Sequence, residues 1–282
     1  MNSSSKAPVN DLIRTVRIER VTGVGREALS DVVAVEEPVG IFVQYYYKQK
    51  QRTESLAVAM RTPGHDSELA CGFLYSEGVI QSRADVVDIR SLGSEGSNEI
   101  LVELAAGVDV DAWRLQRSSL MQSSCGICGK QNLDALADVA RVSGSEFAVE
   151  PGLIHQLPDI LRGAQSGFAQ TGGLHAAASM DRDGYIAEVF EDIGRHNALD
   201  KLIGASFLSQ ALPLSQSVLF MSSRGSFELV QKAAAAGAPV LATVGSPSTL
   251  AIEAARRAGL TLIGFVRSER FNIYSGFERI RS

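Results

Sequence analysis

Cysteine is scarce in this chain: there are three in 282 residues, at positions 71, 125 and 128. So few cannot staple a chain of this length, which excludes a disulfide-framed secreted scaffold. Histidine is almost as rare. His65, His155, His175 and His196 are scattered, and none pairs at a zinc-finger spacing. An excess of positive charge is also missing. Lys and Arg total 27 against 32 Asp and Glu, a formal net charge of −5, which disfavours nucleic acid as a partner. No apolar run approaches the roughly 18 residues of a membrane-spanning helix, so no membrane partner is expected. Residues 1–10 are polar and Ser-rich, without the apolar core of an export signal. These absences predict a soluble cytoplasmic protein with a short disordered tail over 1–10.

What is present has the makeup of an ordinary globular protein, 45% hydrophobic and 21% charged. The expected division is an α+β region over 11–116, a Cys-x-x-Cys loop and helix over 117–145, and an α/β domain over 146–282. In the first region, strands are predicted over Thr15–Val21, Gly40–Tyr47, Glu54–Met60 and Asn98–Leu104, with a helix over His65–Glu77. Cys71 falls inside that helix, where a small hydrophobe filling the core is the simplest reading. The stretch Arg114–Ser124 reads as a polar loop, followed by the cysteine pair and then a helix through Leu133, Leu136, Ala137 and Ala140. The last hundred residues alternate strand and helix. Strands are predicted over Ser217–Met221, Pro239–Val244 and Leu260–Val266, and helices over Phe227–Ala236 and Thr249–Ala258, the helices ending at Gly237 and Gly259. That alternation is the mark of a parallel layered α/β sheet.

Three groups of residues carry possible chemistry. In Cys125-Gly126-Ile127-Cys128 the spacing permits thiol–disulfide exchange, half of a zinc site or a persulfide relay. The flanking glycines, a following helix N-terminus and Lys130 favour an accessible thiolate. Zinc deaminase chemistry is excluded, because Ser124 replaces the proline and His175-Ala176-Ala177 lacks the glutamate. The second group, Glu191 to Lys201, is polar at its start and runs into a helix from Ala198. Arg195, His196 and Asn197 can contact an anion or a heterocycle there, or simply cap the helix. The third comprises Ser222–Ser226, Gly245–Ser248 and Phe265–Arg270, all following predicted parallel strands, the edge at which open α/β sheets bind ligands. Arg224, Arg267 and Arg270 offer pairing to a pyrophosphate, although no phosphate-loop motif is present. Gly172-Gly173-Leu174-His175 reads as a further turn beside a histidine.

These motifs together resemble a known family. Ser-Cys-Gly-Ile-Cys-Gly at 124–129, Gly-Gly-Leu-His-Ala-Ala at 172–177 and Glu-Asp-Ile-Gly-Arg-His-Asn-Ala-Leu-Asp-Lys at 191–201 occur in this order. Ser-Ser-Arg-Gly-Ser at 222–226 and Phe-Val-Arg-Ser-Glu-Arg at 265–270 complete the set. The series resembles the FdhD family, the formate dehydrogenase accessory sulfurtransferases, over nearly the whole chain. The resemblance implies a cytidine-deaminase-like layered α/β sheet in the C-terminal part, with a smaller α+β N-terminal part, and a homodimer. It implies a sulfur carrier that a cysteine desulfurase loads with sulfane sulfur. The sulfur passes to the molybdenum of bis(molybdopterin guanine dinucleotide), which is then inserted into formate dehydrogenase. On this chain Cys125 would bear the persulfide and Cys128 would assist. Cofactor binding would fall on Phe265, Val266, Arg267, Ser268, Glu269 and Arg270, with Ser223, Arg224 and Gly225 beside them. His175, Arg195, His196 and Asn197 would line the same cavity, and a guanine nucleotide would serve as a cofactor analogue. No resident metal is expected. The competing expectations are a cofactor-binding chaperone that moves no sulfur and a dithiol oxidoreductase.

Overall fold

The computed structural model describes residues 12–48, 50–93, 97–108, 110, 139–142 and 146–281. The expected tail over 1–10, the polar stretch 114–124, both cysteines of the pair and the expected helix from Leu133 to Ala137 lie outside the described residues, while Ala140, expected to continue that helix, is in irregular backbone.

An antiparallel hairpin comes first, β1 (Ile13–Thr22) with β2 (Gly25–Ala34). Most of its side chains face water. A four-stranded sheet follows, built from β3 (Glu37–Tyr47), β4 (Lys50–Arg61), β5 (Val86–Ser91) and β6 (Glu99–Leu104) in the order β4-β3-β6-β5. Strand β3 shows the period of two: Val39, Ile41, Val43 and Tyr45 are buried while their neighbours are less so. That face packs on Leu69, Ala70, Cys71, Phe73 and Leu74 of α1 (Asp66–Ser76).

The second body is a six-stranded sheet. Its strands are β7 (His175–Asp181), β8 (Ile186–Asp192), β9 (Ser217–Met221), β10 (Val240–Thr243), β11 (Thr261–Gly264) and β12 (Asn272–Ser275). Their order is β12-β11-β10-β9-β7-β8, with β9, β10 and β11 parallel as expected and the flanking strands antiparallel. The parallel strands are continuous apolar runs because both faces are covered. Leu219, Met221, Leu241 and Leu262 meet α4 (Arg195–Leu208), α5 (Phe227–Ala235) and α6 (Thr249–Ala258). Val218, Phe220, Val240, Ala242 and Ile263 meet α2 (Pro151–Ala164), which is followed by the short α3 (Ser166–Thr171).

Helix α1 lies between the four-stranded sheet and α4, and the approach is as close as backbone allows. A Cβ on Gly72 would fall 1.8 Å from the Asp200 carbonyl oxygen, and one on Gly204 would fall 1.8 Å from that of Glu68. Only glycine fits at either position. Among the described residues no helix is long and apolar enough to cross a membrane.

The sequence signals for β2, β5, α2, β7 and β8 were too weak to be read. Strand β2 is exposed on both faces and mixes charge with alanine. Strand β7 is largely alanine, a poor strand former, yet Ala176, Ala177 and Ala178 are completely buried. Helix α4 begins at Arg195 rather than at Ala198, so Arg195, His196 and Asn197 form its first turn.

Candidate functional site

The block from Glu191 to Lys201 spans the end of β8 and the first half of α4, and most of its charges are engaged in the scaffold. Glu191 accepts from the backbone N–H groups of Gly167 (2.9 Å) and Phe168 (2.8 Å), at the start of α3. Asp192 is fully buried. Its carboxylate pairs with the Lys201 ammonium at 2.7 Å and accepts from Gly194 N–H (2.8 Å), Thr62 N–H (3.2 Å) and the Asn197 amide (3.0 Å). Lys201 also donates to the Thr62 carbonyl at 2.9 Å, and the Thr62 hydroxyl accepts from Ile193 N–H at 3.1 Å. Asn197 spends its second amide hydrogen on the Met60 carbonyl at 2.7 Å. A buried ion pair surrounded by hydrogen bonds in this way holds one geometry, because each lost contact strands a polar group. It fastens the end of β4 to the first turn of α4. Asp200 is likewise taken, by both oxygens, by Lys232 at 2.7 and 2.9 Å.

Arg195 and His196 are left over from this scaffold. His196 places Nε2 3.4 Å from the Ser226 hydroxyl and 3.9 Å from Glu228 Oε2. Burial is the main reason its proton affinity is depressed, and Arg195, Lys232 and His175 add to the effect, bringing its pKa down to about 3. His175 opens β7 and stands opposite Asp192 in the ladder. Its pKa also falls, through burial and then through Arg195, with Asp192 opposing. Both rings are therefore neutral near pH 7, with Arg195 acting on both, the Glu228 carboxylate beside His196 and Asp192 opposite His175.

The three strand-end loops form one continuous surface beside these residues. Ser222 exchanges hydrogen bonds with Ala176, its N–H donating to the carbonyl at 3.0 Å and its hydroxyl accepting from the N–H at 2.8 Å. Gly245 N–H donates to Ser223 O, Ser248 N–H to Gly225 O, and Phe265 N–H to Gly245 O. The loop 265–270 is anchored on α2, where His155 Nδ1 lies 3.1 Å from Arg267 O and the Ser268 hydroxyl donates to Asp159 at 3.3 Å. Arg267 is exposed, and its guanidinium donates to Val244 O and Val266 O at 2.8 and 2.7 Å, so it braces the loop. Val266 is buried, whereas Arg224, Phe265, Arg267, Ser268, Glu269 and Arg270 are exposed. Phe265 has φ 54°, unusual for a non-glycine residue, which holds an apolar ring at the edge. The structure thus gathers His175, Arg195–Asn197, Ser223–Gly225 and Phe265–Arg270 along one edge of the six-stranded sheet.

The sequence did not reveal Thr62 as a partner of this edge. The contact spans about 130 positions, and nothing in the local pattern around Pro63-Gly64 announces it. Ser222 and Ser226 were visible as turn residues, but not as the groups facing His175's strand and His196.

Cys71 has no part in the edge. It is completely buried in α1, and burial pushes its thiol up to about 12.

The model of the FdhD/NarQ family matches residues 34–281. The chain belongs to the FdhD/NarQ family. Among its relatives in that family, the protein named "Sulfur carrier protein FdhD" of Streptomyces coelicolor is 45% identical over 259 residues, covering 89% of each chain. The protein of the same name from Mycobacterium tuberculosis is 43% identical over 261 residues, covering 89% of this chain and 92% of its own. That of Sulfolobus acidocaldarius is 42% identical over 268 residues, covering 95% and 98%. A crystal structure from Desulfotalea psychrophila, of a protein provisionally assigned as a formate dehydrogenase accessory protein, superposes with a TM-score of 0.76. It is 23% identical, covers 96% of this chain and 100% of its own, and shares the fold.

Proposed function

We propose that this chain is a cytoplasmic sulfur carrier serving formate dehydrogenase. A cysteine desulfurase loads Cys125 with sulfane sulfur as a persulfide, and Cys128 assists its transfer. The acceptor is the molybdenum of bis(molybdopterin guanine dinucleotide), held as substrate at the sheet edge before insertion into formate dehydrogenase. The working unit is a homodimer.

The observation that carries this reading is the state of Cys71. A carrier needs an accessible thiolate whose outer sulfur can reach an acceptor. Cys71 is sealed in the core with its thiol at about 12. The task therefore falls to Cys125 and Cys128, the remaining cysteines of the chain. The edge supplies what an anionic dinucleotide needs. Arg224 and Arg270 are exposed for its phosphates, and Arg195 lies deeper. The exposed ring of Phe265 is available to stack on a heterocycle.

The test is mass spectrometry of the purified chain after incubation with a cysteine desulfurase and cysteine. One sulfur is expected on the peptide carrying Cys125 and Cys128, lost in Cys125→Ala, with Cys71→Ala loaded normally. Absence of added sulfur, together with intact binding of a guanine nucleotide, would instead identify a cofactor chaperone.

A further inference from the structure

Arg195 differs from every other arginine at this edge. It is partly buried, and its Nε is shut off from water with no hydrogen-bond partner among the described residues. The carboxylates nearest in sequence are already satisfied: Glu191 by two N–H groups of α3, and Asp192 by Lys201, Asn197 and two backbone N–H groups. Asp200 is bound on both oxygens by Lys232. Glu228 Oε2 lies 3.9 Å from His196 Nε2, the same ring nitrogen that meets the Ser226 hydroxyl, and pairs with no arginine among the described residues. By contrast, Arg267 is tied to backbone carbonyls, while Arg224 and Arg270 are in water.

A guanidinium that is partly out of water and, among the described residues, has no carboxylate paired with it is costly to hold. The cost disappears when an anion arrives, and the planar fork of Arg matches two oxygens of a phosphate. The neighbours suit the same guest. His175 and His196 are neutral imidazoles that can each turn an N–H toward it, and the Ser226 hydroxyl can donate as well.

We infer that Arg195, flanked by His175 and His196 and by the Ser226 hydroxyl, forms a discrete pocket for one phosphate group of a phosphorylated ligand. The pocket deepens the proposed function and rests on it for the identity of the ligand. Its ability to take phosphate is independent of sulfur transfer.

The experiment is a titration of the full chain with inorganic pyrophosphate and, separately, with guanosine diphosphate. It is followed by calorimetry and by NMR of the histidine rings. Pyrophosphate should move the ring resonances of His175 and His196 and raise their proton affinity, since a bound anion favours the imidazolium. Arg195→Met should weaken pyrophosphate binding about tenfold or more, Arg195→Lys should retain part of it, and Arg256→Ala on α6 should change nothing. Unmoved histidine resonances at saturating pyrophosphate, or unchanged affinity in Arg195→Met, would overturn the pocket. Should Arg195→Met fail to fold, the histidine resonances of the wild-type chain decide alone. Guanosine diphosphate binding that leaves the histidines and the Arg195 variant indifferent overturns the pocket but keeps the cofactor reading. Pyrophosphate bound at Arg195 with no binding of guanosine diphosphate keeps the pocket and overturns the cofactor reading.

Discussion

His196 sits among positive charges and largely out of water, and its protonation has a measurable cost. In the folded chain its pKa is about 3, against roughly 6.5 for an exposed imidazole. Between those values the unfolded chain binds more protons, so stability falls as pH falls from about 6.5 towards about 3 and is level above that window. His196→Gln removes this dependence. Urea unfolding at pH 7.0 and 5.5 should show the wild type losing about 1 kcal/mol more than the variant. Cys71 makes a second residue-scale prediction. An aromatic disulfide reagent should not label it until the chain unfolds, because its thiolate is not populated at neutral pH. The sequence made Cys71 legible as core, since it fell on the buried face of a helical pattern. It left Arg195, His196 and Asn197 alike as either ligand contacts or caps. Only the fold separates them, because the groups that engage Asn197 come from β4 and β8 together.

At the scale of elements, two joints set the edge in place. The first is the Asp192–Lys201 pair with Thr62. Lys201→Met leaves a buried carboxylate uncompensated and should destabilise the chain by about 3–5 kcal/mol. The double variant Asp192→Leu with Lys201→Met should lose clearly less than the sum of the two single changes, as thermal unfolding of the four proteins would show. The second joint is the glycine contact of α1 with α4. Gly72→Ala or Gly204→Ala drives a methyl group into a carbonyl oxygen of the facing helix. Neither helix can yield without parting from its sheet, so each change should cost about 3 kcal/mol or more. The helix and strand alternation of the last hundred residues was legible because apolar runs, glycine stops and short turns all agree there. Strand β7 was not, because its buried positions are alanines chosen for closeness rather than for strand preference. Nor were the two glycines marked as contact points, since both lie inside runs that read simply as helix.

The whole molecule combines two sheets of different dependence on each other. The hairpin β1–β2 lies almost entirely before residue 34, where the family match begins, and is largely exposed. Removing residues 1–34 should shift the thermal midpoint by only about 3 °C or less, read by calorimetry on the shortened chain. The two sheets beyond it are another matter. Sliding of one packed helix over another needs a layer of side chains that can change rotamers, and at Gly72 and Gly204 no such layer exists. Shear between the sheets is therefore closed as a route of motion. Amide protons buried along α1 and α4 should accordingly exchange with solvent at one common slow rate, through opening of the whole seam rather than of either helix alone.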